Sequence, residues 1–405
     1  MIKKSIEKKK IYLDYSATTP TDKRVAKVMS KIMTDNFGNP SSIHSFGREA
    51  RKIMDESREV VRDFINASDP SEIIFTSGGS EADNLAILGL AAKSKIRKPH
   101  IITTLIEHKA VLETIKHLES QDLIEASYLK VDREGLIDLE AVKREIKYNT
   151  ILISVMYANN EIGTIEPIRE IGKYLEKLNI QRVGGGFPRI YLHTDAVQAF
   201  QYLNVDVKHL HVDLMSVSAH KFYGPKGIGF LYIKEGTPIE KIIFGGGQEG
   251  NKRAGTENVA GIVGVACAIK ILKKEGDKDS KKIEKLRDQL MTGVLKISGV
   301  HLTGHKKERL PSLASFVFEA IEGESILINL DLDGFNVSTG SACTSGTLSP
   351  SHVLSACGYS HLEAQGNIRF SLGRWTTEAE IKKVLDILPQ IIERLRSISP
   401  MIPNK

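Results

Sequence analysis

The chain has 405 residues, 41% hydrophobic and 26% charged. That balance describes a soluble globular protein of two or three domains and excludes a disordered, collagen-like or membrane-spanning one. Basic residues number 56 and acidic ones 50, a net charge of +6, with no Lys/Arg stripe interleaved with aromatics, so neither a nucleic-acid nor a membrane partner is expected.

The chain begins with Met1–Lys10 (MIKKSIEKKK), which lacks the apolar core of a signal peptide and the Arg/Ser richness of a transit peptide. A cytoplasmic protein is therefore expected. Between Arg48 and Ile65 the apolar residues Ala50, Ile53, Val60, Val61 and Phe64 recur at helical spacing. Six largely continuous apolar runs then predict strands: Glu72–Thr76, His100–Thr104, Thr150–Met156, Arg189–Thr194, Leu214–Ser218 and Gly229–Ile233. Continuous runs are what strands covered on both faces need, and helices between them imply βαβ units and a mainly parallel sheet. Gln181–Pro188 (QRVGGGFP) reads as a surface insertion. A helix is predicted over about Val259–Lys274, then an exposed polar loop at Gly276–Lys282. Thr377 and Glu380 form a capping box for a last helix that Pro389 should kink or split. The pattern predicts a large α/β domain over residues 16–262. A smaller α+β domain would take residues 1–15 and 263–405.

Ligands of open α/β sheets gather at the carboxyl ends of strands, and four segments there carry reactive groups. Phe75–Asn84 (FTSGGSEADN) runs from a strand through Gly78, Gly79 and Ser80 into a helix start, a geometry that suits a phosphate or serves only as a structural turn. Asp195 follows a strand and could hold a proton on a heteroaromatic nitrogen or simply cap the next helix. Lys221 follows Ser218, Ala219 and His220, where a low-dielectric site would disfavour the ammonium and prepare it for an imine bond. Phe244–Asn258 (FGGGQEGNKRAGTEN) is glycine-rich with Arg253 and Thr256, yet lacks the GK[ST] of a nucleotide loop.

Together these segments resemble the cysteine desulfurases, a group of fold-type I enzymes that use pyridoxal 5′-phosphate (PLP). The similarity runs from Tyr12–Pro20 (YLDYSATTP) to Asn367–Trp375 (NIRFSLGRW), through NPSSIHSFG, TSGGSEADN, EHKAV, NNEIGT, HTDAVQ, SAHK, RAGTEN and STGSACTSG. The resemblance implies a role for each matching residue. Lys221 would form the internal aldimine, His108 would stack on the cofactor ring and handle protons, and Asp195 and Gln198 would pair with the ring nitrogen and the phenolic oxygen. Gly79, Ser80, Ser218 and His220 would hold the phosphate, with Thr256 reaching it from the other subunit of a homodimer. Asn160 would lie near ring and substrate, Arg369 would bind the substrate carboxylate, and Cys343 would take the sulfur. Departures are Ser80 for the usual threonine, Gly250 where arginine is common, and the insertion at 181–188.

The implied reaction turns L-cysteine into L-alanine and leaves sulfur on an enzyme cysteine as a persulfide. It would pass to an iron–sulfur scaffold or a tRNA-thiolation enzyme. Of three cysteines, Cys343 lies in a stretch of small polar residues (338–349) that reads as a mobile loop, whereas Cys267 and Cys357 read as packed. Neither HExxH nor a Cys/His ligand spacing occurs, so no metal is expected. The alternatives are a selenocysteine lyase, a small-substrate PLP aminotransferase and a non-catalytic sulfur carrier.

Overall fold

Each apolar run predicted as a strand folds as one, and its alternate residues serve two separate cores. The structure, a computed structural model, describes residues 10–340 and 350–399. Its strands are β1 (Ile11–Tyr12), β2 (Ile73–Thr76), β3 (His100–Thr104), β4 (Glu125–Leu129), β5 (Thr150–Ser154) and β6 (Tyr191–Asp195). They continue with β7 (Leu214–Ser218), β8 (Gly229–Ile233), β9 (Val300–Thr303), β10 (Leu313–Phe318), β11 (Phe335–Asn336) and β12 (Asn367–Ser371). Seven form one sheet in the order β2–β8–β7–β6–β5–β3–β4, in which β8 runs against both its neighbours and the remaining pairs are parallel.

Side chains alternate across a strand, so this sheet has two apolar faces to cover. Ile74, Ile101, Leu152, Leu214 and Leu231 point to one side, under the Gly79–Lys93 and Lys109–Ser120 helices. Phe75, Ile102, Ile153, Met215 and Phe230 point to the other, under Ser45–Ile65, Ile168–Gly184 and the first half of Val259–Val294. A separate core gathers around β9, β10 and β12 with the Gly323–Leu332 and Glu378–Ile398 helices, and includes Ile11 and Leu13. There β1 pairs with β11 in parallel.

Two local expectations are corrected, and two further segments gain detail. Gly276–Lys282 is not a loop: the helix runs unbroken from Val259 to Val294. Its apolar stripe resumes at Ile283, Leu286 and Leu290, and Asp279 in the polar stretch accepts from Arg374 Nε at 2.6 Å. Pro389 does not split the last helix, because Leu388, Ile391 and Ile392 carry one buried stripe past it. Packing of that stripe outweighs the single missing N–H. The segment read as an insertion at 181–188 is half helix, ending at Gly184. Arg182 ties it down by donating to the carbonyls of Lys147, Tyr148 and Pro188. Finally, β4 was not anticipated, since this edge strand is largely half-buried and lacks the continuous apolar run.

Candidate active site

The sheet's carboxyl-end loops enclose a cleft of about 330 Å³, within the range of small-molecule sites. Gly79, Ser80, His108, Asn160, Asp195, Gln198, Ser218, His220, Lys221 and Arg369 all line it. Ten residues singled out from the sequence thus meet on one surface. Thr256 does not join them; it is exposed and lines a second cavity of about 190 Å³ with Ser77, Arg253 and Glu257. Cys343 lies outside the described residues.

One end of the cleft is built for an anion. β2 leads through Gly78 into the Gly79–Lys93 helix, whose N-cap glycine offers no side-chain cap, so the opening N–H groups and the helix dipole face outward. A Cβ on Gly79 would stand 2.8 Å from Val197 Cγ2, so only glycine lets the backbone approach here. Ser218 ends β7 beside this turn. His220 bonds through Nδ1 to Thr18 Oγ1 at 3.0 Å, and burial with the nearby lysine charges lowers its pKa to about 4, so its ring is neutral.

The floor is acidic and closed to water. Asp195 ends β6 and accepts from Val197 N at 2.8 Å. Burial raises its pKa, against the pull of His108 and Lys221. His108 caps the Lys109–Ser120 helix, its Nδ1 accepting from Ala110 N at 3.2 Å, which leaves Nε2 as the ring's other proton site. Burial lowers the His108 pKa, so its imidazole is neutral near pH 7. Glu107 is fully buried behind it, with Oε1 accepting from Met156 N and Thr104 Oγ1.

The wall opposite carries the amine. Lys221 Nζ donates to the main-chain carbonyls of Ser16 at 2.5 Å and Ala17 at 2.8 Å, and Gln198 Nε2 shares the Ser16 carbonyl at 3.0 Å. Arg369, from β12 of the other sheet, closes the cleft. The sequence reading missed Asp14, Ser16, Ala17 and Asp83. The first three lie in the landmark YLDYSATTP, and Asp83 lies in TSGGSEADN, but no spacing along the chain tells which distant strands they meet.

An uncapped helix start, an unneutralised acid and a lysine around one small cleft fit PLP: phosphate, ring nitrogen and aldehyde each find a matching group. The comparisons agree with that fit. A family model described as aminotransferase class-V matches residues 11–384. A cysteine desulfurase IscS of Dictyoglomus turgidum is 51% identical over 394 residues, covering 97% of each chain. The chain belongs to the cysteine desulfurases of the class-V aminotransferase family. It is an enzyme family that depends on PLP. A second family member, from Methanosarcina thermophila, is 47% identical over 99% of this chain and 96% of its own. A solved NifS-like protein superposes with TM-score 0.87 at 39% identity, over 95% of this chain and all of its own (100%). A structure described as SspA in complex with cysteine gives TM-score 0.78 at 35% identity, over 90% of this chain and 99% of its own.

No helix among the described residues is long and apolar enough to cross a membrane. Neither described cysteine lines the cleft. Burial raises both thiols, Cys357 to about 12, so neither is a ready thiolate.

Proposed function

We propose that this protein converts L-cysteine to L-alanine on PLP and takes the sulfur onto its own Cys343. The observation that carries the reading is the meeting of Lys221, Asp195, His108 and Arg369 in one cleft. The uncapped helix start at Gly79 and Ser80, with Ser218 and His220, would hold the phosphate. Asp195 would face the ring nitrogen, Gln198 the phenolic oxygen, and His108 and Asn160 the ring and substrate. Bound PLP supplies an electron sink for negative charge at the substrate Cα.

This chain's residues do the rest. Arg369 fixes the substrate carboxylate through its planar fork. Lys221 Nζ would hold the cofactor's aldehyde carbon and, as the amine nearest it, would be the base that takes the proton from the substrate Cα. His108 Nε2 is the second proton carrier. The Cys343 thiolate attacks the substrate sulfur, the Cβ–S bond breaks with its electrons staying on carbon, and a proton completes the alanine methyl. The sulfur remains on Cys343 as a persulfide, so atoms and electrons balance.

Three finer parts belong to the same reading. A homodimer is supported by Thr256, which is exposed outside its own chain's cleft and free to reach a partner's phosphate site. An iron–sulfur scaffold as acceptor is supported by the IscS name of the relatives; a tRNA-thiolation enzyme as acceptor and a reducing cytoplasm are further parts of the proposal. A division near residues 16–262, and 1–15 with 263–405, has in its favour the separate core around β9, β10 and β12 that takes in Ile11 and Leu13, although the Val259–Val294 helix lends Val265 to Leu272 to the large-sheet core and only Ile283 onward to the smaller one.

Purified protein loaded with PLP should be yellow and should release alanine and sulfide from cysteine with a thiol reductant. Lys221→Ala should lose turnover by at least about a hundredfold. Undiminished turnover in that variant contradicts the reading.

A further inference from the structure

Behind Asp195 stands a second acid that the proposed chemistry leaves unused. Asp83, on the Gly79–Lys93 helix, is 0% exposed yet borders the cleft. A carboxyl oxygen of Asp83, one of Asp195 and a ring nitrogen of His108 all lie within 4.8 Å of one another. Neither Asp83 oxygen has a hydrogen-bond partner among the described residues.

The groups facing Asp83 come from several elements. β6 contributes Asp195 and His193, β7 contributes Ser216, and the turn before the Lys109–Ser120 helix contributes Glu107 and His108. Lys221 acts on this cluster through Asp195 and His108. His193 Nε2 is 3.6 Å from Asp83 Oδ1 but bonds to Ser216 Oγ at 2.9 Å, while Nδ1 bonds to Ser154 Oγ at 2.8 Å. Burial lowers the His193 pKa to about 3, so this ring is neutral and supplies no counter-charge. No Lys or Arg pairs with Asp83 among the described residues.

Two neighbouring carboxyls sealed from water do not both ionise. Burial first, and then the negative charge of Asp195, hold the Asp83 carboxyl well above its usual range, and Ser216 only partly opposes them; Glu107, fully buried too, is likewise held in its protonated form. A cationic ring nitrogen would select Asp195 as the ionised member and leave the proton on Asp83. We propose that Asp83 is a positioning residue for Asp195, a proton-bearing carboxyl within 4.8 Å of it that acts through space and leaves Asp195 as the single anion facing the cofactor's ring nitrogen. This rests on the PLP reading above.

The test uses PLP-loaded wild type, Asp83→Asn and Asp83→Ala, each titrated against pH by the visible absorption of the bound cofactor. Asparagine keeps a neutral polar group of the same shape, so its midpoint should coincide with wild type. Alanine removes that group, and its midpoint should move by about one pH unit or more, a tenfold change in proton affinity. The infrared difference between wild type and Asp83→Asn at neutral pH should show the carbonyl stretch of a protonated carboxylic acid. A midpoint that moves in Asp83→Asn, a midpoint unmoved in both variants, or carboxylate bands in that difference overturns the proposal. Should Asp83→Ala not fold, the asparagine midpoint and the infrared difference decide. Failure of the PLP reading looks different, because wild type itself would then show no visible band.

Discussion

Arg369 Nη2 donates to Asp14 Oδ1 at 2.8 Å, tying β12 to the segment after β1 at the edge of the cleft. Arg369 Nη1 donates to the Asn160 carbonyl at 2.9 Å, and Nε has no hydrogen-bond partner among the described residues. The guanidinium is thus held by two contacts before substrate arrives and pays little ordering cost on binding. Arg369→Lys keeps the charge and loses the fork. Losing a charge-assisted hydrogen bond costs about 1.5–3 kcal/mol, so KM for L-cysteine should rise about 10- to 100-fold. Steady-state kinetics check this, with the cofactor's visible absorption expected unchanged.

Glu249 and Arg58 make a buried bidentate pair at 2.7 and 2.8 Å, and the same carboxylate accepts from Phe75 N within β2. The turn that presents Glu249 is left-handed at Glu249, Gly250 and Asn251, which accounts for a glycine at 250. Glu249→Ala would strand the Arg58 charge in the interior, a loss of about 3–5 kcal/mol. A chemical denaturation curve should show it. Replacing both partners with apolar residues of similar volume should cost less than the single change.

Glu166 is buried, its Oε2 accepting from Ile137 N at 3.1 Å and its Oε1 unpartnered among the described residues. Burial raises its pKa from 4.5 to about 8. The folded state therefore favours the protonated acid. Its stabilising contribution is complete below the unfolded value of 4.5 and is lost as pH rises to about 8. Glu166→Gln stays neutral throughout. Its stability should match wild type near pH 4 and exceed it increasingly up to pH 8, by on the order of 1.4 kcal/mol per pH unit at most. Urea denaturation across that pH range measures the difference.

These contrasts show what could be read from the chain alone. Strands with both faces covered, such as β5, announce themselves because their central run, Ile151, Leu152 and Ile153, is apolar without a break. Strand-end chemistry at Asp195 and Lys221 followed, because residues just past such strands line the sheet's mouth. Asp83 and Asp14 stayed hidden for the opposite reason. Their partners are 112 and 355 positions away, at Asp195 and Arg369, and only the sheet order and the contact between the two cores bring them together. The polar run at Gly276–Lys282 misled because a helix with a solvent face can carry charges for two turns without losing its buried stripe.

Lys221 Nζ and the Gln198 amide share the Ser16 carbonyl, so the amine is oriented from the chain's first turn after β1. Ser16 acts through its backbone, and Ser16→Ala should change kcat by less than threefold. Gln198→Ala removes one of the two donors and the proposed contact to the phenolic oxygen. It should shift the visible absorption maximum of the bound cofactor, which a spectrum records directly.

The most direct measurement is intact-mass and peptide analysis of the PLP-loaded protein after one equivalent of L-cysteine without reductant. One alanine should appear per sulfur gained, with that sulfur on the peptide carrying Cys343. Alanine formed at the same yield with the sulfur on Cys267 or Cys357, or equally fast in Cys343→Ala, would contradict the account.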